Sequence, residues 1–255
     1  MLPAGTIEAF GLFAVRTSVL VMASPLFGVT TSFAGAKIGL IAVLTLTLYS
    51  ACGTPLAGPI APFEWGVLAV REALIGFSLA FVMQCVLLAV RVAGEMVGHD
   101  MGFNMGAIVD PETGVSSPLV TQFYEGLFLV GLLAVDGHHL ILRALSDSFT
   151  QAPIGVLSST QTLLGVAETM VREMFNAGIV FALPVLVLMT IVSILIALIA
   201  RAVPQINIMD VGFTLRILVG LVAMYAFAPL LAPAMERLYG ALELGLERVV
   251  VAAGS

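Results

Sequence analysis

The sequence has few charged residues. They make up 10% of the 255 positions, while 60% of the residues are hydrophobic; a typical globular domain carries about 25% charged residues. Lys37 is the single lysine, and lysine and arginine together number 10, too few for the basic surface that nucleic-acid binding requires. These shortages exclude an ordinary soluble domain and predict that nucleic acid is not a partner.

Cysteine and the common catalytic motifs are also scarce. Cys52 and Cys85 both lie in apolar surroundings without CxxC spacing, which favours two small buried side chains over a disulfide or a metal site. The sequence has no P-loop, no GxSxG and no HExxH motif. We therefore expect no enzyme activity, no catalytic residue, no cofactor and no metal ligand. The N-terminus lacks a basic n-region, so a cleaved signal peptide is not expected.

Long apolar runs are what the sequence has instead. Six stand out, at residues 17–36, 38–52, 73–90, 119–135, 174–200 and 217–235. A hydrocarbon core of about 30 Å is crossed by roughly 20 helical residues, and backbone amides in lipid must be satisfied within the segment. The pattern predicts an all-α, polytopic membrane protein of about six hydrophobic helices. Pro184, Pro229 and Pro233 lie inside such runs and predict kinked helices.

Two stretches are amphipathic. In residues 158–175, Ser158 and Gln161 have the spacing of a capping box, and apolar residues then recur on one face. In residues 235–250, leucines and a valine face one way and most of the charges face the other. Each stretch fits a membrane interface, a contact with a partner helix, or a cap on the chain's own bundle, and the sequence leaves these open.

Glycines recur at every fourth position through residues 94–106, with Met101 and Met105 each preceding a glycine. On a helix this spacing forms a groove that lets another backbone approach, and Pro111 is expected to end that helix. The alternative is a flexible connector whose methionines form a deformable seal. The spacing by itself favours the packing groove.

Two further connectors carry polar residues. Asp136, His138 and His139 could form a metal or proton site, but adjacent helical side chains point about 100° apart and the i,i+4 spacing of HExxH is missing. Interfacial packing and hydrogen bonding are therefore preferred. The connector with Pro204, Gln205 and Asn207 joins the two most apolar segments, either as a hairpin tip or as a contact with another subunit.

Several charges touch the apolar runs, among them Arg16, Glu125 and Arg216. Because a charge at a helix centre costs about 2.5–3.5 kcal/mol on insertion scales, it usually has a partner. Glu125 is predicted to pair with an arginine of another helix or subunit. Arg71 and Glu72 lie near the start of an apolar run and are predicted to reach the membrane interface.

An ordered set of short elements across nearly the whole chain resembles the FliR family of flagellar type III export-gate proteins, which is related to the SctT family of virulence injectisomes. The elements are residues 72–76, 93–95, 101–102, 109–111, 137–139, 148–149, 153–155, 182–184, 201–205 and 211–213. The glycine-histidine-histidine element and the turn at 201–205 favour the flagellar branch.

The resemblance implies a non-enzymatic, pore-forming subunit of a hetero-oligomeric export gate in the bacterial inner membrane, at the flagellar basal body. Unfolded flagellar proteins would pass through it. The implied partners are the export-gate proteins FliP and FliQ and the export-apparatus proteins FlhA and FlhB. Residues 1–173 would resemble FliP, and the helical hairpin at 174–255 would resemble FliQ.

The resemblance also reverses the interpretation of the glycine-rich connector, because the corresponding segment of the family closes the pore. The implied plug residues are Met101, Gly102, Phe103, Asn104, Met105, Gly106 and Ile108. The connector residues Pro204, Gln205 and Asn207 would contact a partner. The alternatives are an injectisome gate subunit and a stand-alone transporter with a site near Glu125 and Arg216; no internal repeat supports the transporter.

Overall fold

The computed structural model of the chain describes residues 5–27, 34–53, 55–56, 58, 60–103, 119–154, 161–202 and 208–254. Within these ranges the regular structure is entirely helical, which confirms the predicted all-α class. In chain order the helices are α1 (Thr6–Ala23), α2 (Ala34–Cys52), α3 (Pro62–Asp100), α4 (Leu119–Ala134), α5 (Gly137–Gln151), α6 (Gln161–Ala202) and α7 (Ile208–Gly254).

Five of the described helices, α1, α2, α3, α6 and α7, are long and apolar enough to cross a membrane. The pair α4 and α5, broken at Val135 and Asp136, would add a sixth if it counts as one span. This agrees with the predicted number of about six. The sequence also predicted correctly that α2 ends at Cys52 and that α4 starts at Leu119.

The first helix lies earlier in the chain than predicted. A helix over residues 17–36 is wrong: α1 begins at Thr6 and ends at Ala23. The backbone N–H of Ser24 still bonds to the Leu20 carbonyl at 2.9 Å, and Pro25 follows. Proline disfavours helical geometry in the residue before it, so the helix stops there although the apolar run continues. Arg16 consequently lies inside α1 and not before it.

The two amphipathic stretches continue into apolar runs as single helices. The first joins the run at 174–200 to form α6, and the second joins the run at 217–235 to form α7. Pro184 lies within α6, and Pro229 and Pro233 lie within α7. Ser158 falls outside the described residues, so its predicted capping role stays a prediction.

The separation of an apolar face from a charged face, predicted for residues 235–250, is confirmed, and the apolar face is the inward one. Its apolar members are buried, and its charged members are exposed. The buried residues are Leu238, Leu242, Leu246 and Val249, and the exposed residues are Glu236, Glu243, Glu247 and Arg248. In residues 158–175 the pattern holds for Leu163, Met170 and Met174, while Val171 is exposed.

The chain forms two compact units, each built from separate stretches of sequence. Unit 1 comprises Met1–Val86, Leu132–Arg172 and Gly240–Ser255. Its aromatic core stacks Phe13 on Phe149 with ring centroids 4.0 Å apart, and Tyr49 meets the edge of Phe13. Unit 2 comprises Leu87–Gly131 and Glu173–Tyr239, and its core includes Tyr124 packed edge-on against Phe181.

Candidate functional site

The glycine-rich connector leaves α3 through a well-defined helix cap. Gly102 has a φ of +86°, a left-handed conformation that favours glycine. The Phe103 N–H donates to the Gly98 carbonyl at 3.0 Å, and the Gly102 N–H donates to the His99 carbonyl at 3.0 Å. These two bonds are those of a Schellman motif with its glycine just after the helix. They satisfy the last carbonyls of α3 and fix the direction in which the chain leaves it.

This cap corrects the predicted end of the helix. Pro111 was expected to end it, but α3 stops at Asp100 because Gly102 turns the backbone first. The packing role predicted for the glycine spacing holds at Gly94, where an added Cβ would lie 2.6 Å from Thr121 Cα. That glycine lets α3 and α4 approach closely within unit 2.

Of the predicted plug residues, the structure describes Met101, Gly102 and Phe103; Asn104, Met105, Gly106 and Ile108 lie outside the described residues. Met101 is completely buried. It fits over Gly220 of α7, where an added Cβ would lie 2.6 Å from its Cγ and Cε atoms. Gly102 faces the ring of Phe213, whose nearest atom would be 3.2 Å from an added Cβ.

Phe103 lines an apolar cavity of about 780 Å³ in unit 2. Leu119, the first residue of α4, lines the same cavity. The other lining residues are Val120, Gln122, Phe123, Leu127, Leu221, Met224, Tyr225, Ala228 and Leu231. The two described residues that flank the connector, Phe103 and Leu119, thus border one hydrophobic space.

Arg16 is the centre of a buried polar network in unit 1. Its Nε donates to Glu72 Oε2 at 2.6 Å, and Arg71 Nη1 donates to Glu72 Oε1 at 2.9 Å. Arg16 and Glu72 expose no surface. The prediction that Glu72 reaches a membrane interface is therefore wrong: α3 starts at Pro62, which places Glu72 inside the helix, facing Arg16.

The same guanidinium caps the C-terminal end of α5. Arg16 Nη1 donates to the Ser148 carbonyl at 2.7 Å and to Ser148 Oγ at 3.0 Å, and Nη2 donates to the Ala152 carbonyl at 3.0 Å. A cation is favourable there because unpaired carbonyls make the end of a helix negative. The ring of Phe149 lies 4.2 Å from the guanidinium carbon. One residue thus ties α1 to both α3 and α5.

The other two predicted charges lie in unit 2. Glu125 of α4 forms an ion pair with Arg91 of α3, which confirms the prediction of an arginine from another helix. Arg216 is half-buried on α7, and no ion pair among the described residues includes it. Pro204, Gln205 and Asn207 fall outside the described residues, so their contact role stays a prediction.

The histidine pair lies closer together than a helical angle of 100° implied. The ring centroids of His138 and His139 are 4.1 Å apart. Together with Asp136, their donor atoms all lie within 4.8 Å of one another. Sequence reasoning missed this because the turn before α5 places Asp136 in a left-handed conformation, with φ 57° and ψ 26°, which brings its carboxylate back towards the helix.

The long apolar helices, the buried ion pair Arg16–Glu72 that joins two of them and the apolar cavity define a class: a polytopic helical membrane protein. Residues 7–242 match the family described as bacterial export proteins, family 1. The chain is 31% identical to the flagellar biosynthetic protein FliR of Escherichia coli over 229 residues, covering 88% of this chain and 86% of that protein. It is also 31% identical to FliR of Bacillus subtilis over 222 residues, covering 84% and 83%. FliR of Caulobacter vibrioides is 27% identical over 212 residues, covering 81% and 82%.

The chain belongs to this family of bacterial export proteins. The matched region contains the glycine cap at Gly102 and the ion pair Arg16–Glu72. The assignment accounts for a long helical membrane protein without recognisable catalytic motifs.

Proposed function

We propose that the chain is a pore-forming subunit of the flagellar type III protein export gate. The single observation that carries the proposal is the family match over residues 7–242. The relatives are named flagellar biosynthetic proteins, which supports the flagellar branch over the injectisome branch. On this proposal the protein resides in the bacterial inner membrane, at the base of the flagellum, and unfolded flagellar subunits pass through the assembly.

The glycine-rich connector is proposed as the plug of this pore. Its first residues are held by a helix cap and by Met101 over Gly220, so the segment starts from a fixed point. Phe103 and Leu119, on either side of it, line an apolar space. A hydrophobic constriction blocks ions by excluding water, and methionine side chains are flexible enough to yield to a passing chain. The proposed closing layer consists of Met101, Phe103, Met105 and Ile108.

The proposed partners are FliP and FliQ, with FlhA and FlhB as further members of the apparatus. Exposed apolar side chains continue along α6 and α7, as required of helices that contact lipid or other membrane proteins. The division into a FliP-like part at 1–173 and a FliQ-like hairpin at 174–255 belongs to the same proposal. The division describes which partner each part of the chain would resemble. It does not coincide with a helix end, because α6 runs through residues 173 and 174 without interruption.

The plug is tested with Phe103→Ala and Met105→Ala combined, expressed from the native locus of a flagellated bacterium. Smaller side chains should leave a wetter constriction, so we expect increased ion leakage, measured as membrane depolarisation in cells that still assemble the gate. The matched control replaces another phenylalanine and another methionine, Phe175→Ala with Met22→Ala; both are exposed residues outside the connector. Normal polarisation with normal gate assembly would refute the plug.

A further inference from the structure

A cluster of metal-ligating side chains lies at the start of α5, in unit 1, outside the residues assigned to the proposed plug. It consists of Asp136, His138 and His139. Each residue offers one ligand atom, and the three atoms lie within 4.8 Å of one another. The Nδ1 atom of His139 is 3.4 Å from Asp136 Oδ1.

The backbone forms this cluster in a two-residue break between α4 and α5. Asp136 is the one described residue other than glycine with a positive φ, 57°. Gly137 follows and is crowded by Leu132, whose Cδ1 would lie 2.3 Å from an added Cβ. The His139 N–H donates to the Asp136 carbonyl at 2.9 Å, which holds the turn. The positions of the three side chains therefore depend on a constrained turn and not on a free loop.

Two groups of the cluster lack a hydrogen bond within the described residues: the Asp136 carboxylate, which pairs with His139 and does not cap the helix, and one ring nitrogen of His138. Aspartate before a helix usually accepts a hydrogen bond from the first turn with its side chain, but the carboxylate of Asp136 makes no such cap. The Nδ1 atom of His138 is buried and has no hydrogen-bond partner in the described part of the chain. A buried polar atom left unsatisfied is unfavourable, and a metal ion bound at this nitrogen would remove that cost.

The donor set selects the kind of ion. Two imidazole nitrogens with one carboxylate oxygen suit first-row transition metals, whereas calcium and magnesium prefer oxygen ligands. Ligand atoms around a tetrahedral Zn²⁺ are about 3.3 Å apart, given bond lengths near 2.1 Å. The Asp136–His139 distance already matches this value, and rotation of the His138 side chain is required to complete the site. Three protein ligands leave a position open for water or a partner residue.

The cluster lies at the N-terminal end of α5, and this position limits its affinity for a metal ion. The positive end of the α5 dipole opposes a cation, and the side chains of Asp136 and His139 are 76% and 64% exposed. We propose that Asp136, His138 and His139 form a weak, specific binding site for a divalent transition-metal ion of the Zn²⁺, Co²⁺ and Ni²⁺ group. The site would stabilise the turn at Val135 and Asp136, and the proposal does not depend on the export function.

The test uses Co²⁺ as a spectroscopic probe on the full chain, purified in detergent with a histidine-free tag and with its co-purifying partners. We expect visible d–d absorption that saturates at one ion per chain. His138→Ala, His139→Ala and Asp136→Asn should each weaken binding at least tenfold. Zn²⁺ should displace the Co²⁺ signal.

The chain supplies a matched control in its third histidine. His99 lies 3.8 Å from Asp100 and is likewise exposed, but this pair offers only two donor groups. His99→Ala should leave the Co²⁺ titration unchanged. Size-exclusion elution identical to the unmodified protein checks that each variant is folded. Equal loss in His99→Ala, or a titration unaffected by His138→Ala and His139→Ala, would mean adventitious surface binding and overturn the site.

Discussion

Arg16 carries a charge at full burial inside a helix that is apolar enough to cross a membrane. Its guanidinium is neutralised by Glu72 and bonded to carbonyls at the end of α5. Removing one partner of a buried pair leaves the other uncompensated, at a cost of about 3–5 kcal/mol. We therefore expect Arg16→Met to lower the free energy of unfolding by several kcal/mol, measured by pulse proteolysis in detergent.

Two comparisons separate the charge effect from the loss of a long side chain. Arg172→Met removes the exposed pair with Glu168 and should leave stability nearly unchanged, because exposed ion pairs contribute about 0–1 kcal/mol. Arg16→Met combined with Glu72→Met should cost less than the sum of the two single variants, since both substitutions remove the same Arg16–Glu72 bond. A single Arg16→Met variant as resistant to proteolysis as Arg172→Met would contradict the role assigned to the network.

Gly220 leaves room for the side chain of Met101, at the start of the glycine-rich connector. An alanine there would place its Cβ 2.6 Å from Met101 Cγ and Cε, and overpacking of this kind costs about 1–3 kcal/mol. We expect Gly220→Ala to destabilise the protein and Met101→Ala to relieve it in the double variant. Gly126→Ala in α4, where an added Cβ meets nothing within 4 Å, serves as the control. Additive losses in the double variant would show that the two residues do not act through this contact.

The sequence predicted which kind of residue a charge in an apolar run would pair with, but it did not predict which residue that partner is. The apolar run around Glu125 was enough to predict an arginine from another helix, and that arginine is Arg91. Arg16 was predicted to touch an apolar run, but its acceptor Glu72 is 56 positions away. No local pattern encodes such a pairing, because it depends on how the helices pack.

At the scale of elements, α1 and α3 meet through Gly76. An added Cβ at this position would lie 2.5 Å from the Arg16 carbonyl oxygen, a backbone atom that cannot rotate away. We expect Gly76→Ala to separate the helices and weaken the Arg16–Glu72 bond, lowering stability by about 1–3 kcal/mol. The measurement is the thermal unfolding midpoint of the protein in detergent.

The same helix offers the control. Gly66 also lies in α3, and an added Cβ there meets nothing within 4 Å. Gly66→Ala should be neutral or stabilising by up to about 1 kcal/mol, because alanine favours the helix more than glycine does. If the two variants unfolded at the same temperature, close approach at Gly76 would not be the reason for its glycine.

The apolar runs predicted that these helices exist, but they did not predict several of the residues at which the helices begin and end. The C-terminal end of α2 and the start of α4 were correct because Pro55 lies shortly after the one and Pro118 directly before the other. The predicted start of α1 is wrong because Arg16 precedes the apolar run in the sequence, whereas the structure buries it inside the helix. The end of α3 was assigned to Pro111, because a positive φ at Gly102 cannot be read from a sequence with glycines at every fourth position.

At the scale of the whole molecule, the spatial division differs from any division along the sequence. Unit 1 joins the first 86 residues to Leu132–Arg172 and Gly240–Ser255, and unit 2 joins Leu87–Gly131 to Glu173–Tyr239. Composition and apolar runs predicted a membrane protein, and ordered short elements predicted its family, which the match over residues 7–242 confirms. Neither kind of signal reports which stretches pack together, since that depends on contacts between distant segments.

The exposed apolar surface of α6 and α7 leads to the last prediction, which concerns assembly. Large side chains such as Val187, Ile191, Leu198, Leu218 and Tyr225 are about half or more exposed. Surfaces of this kind require lipid or protein neighbours. We expect the chain expressed alone to be degraded or to aggregate in detergent, and to yield a single stable complex when co-expressed with FliP and FliQ.

The measurement is size-exclusion chromatography with mass determination of the detergent-solubilised material. FliP and FliQ are added singly as well as together, since a shared conduit should require both. A stand-alone transporter behaves differently: it purifies as a monodisperse protein and carries a small solute into vesicles. That outcome would refute the proposal that the chain is a subunit of an export gate, because its stability would not depend on partners. The conclusion would hold whether or not the plug variants leak ions.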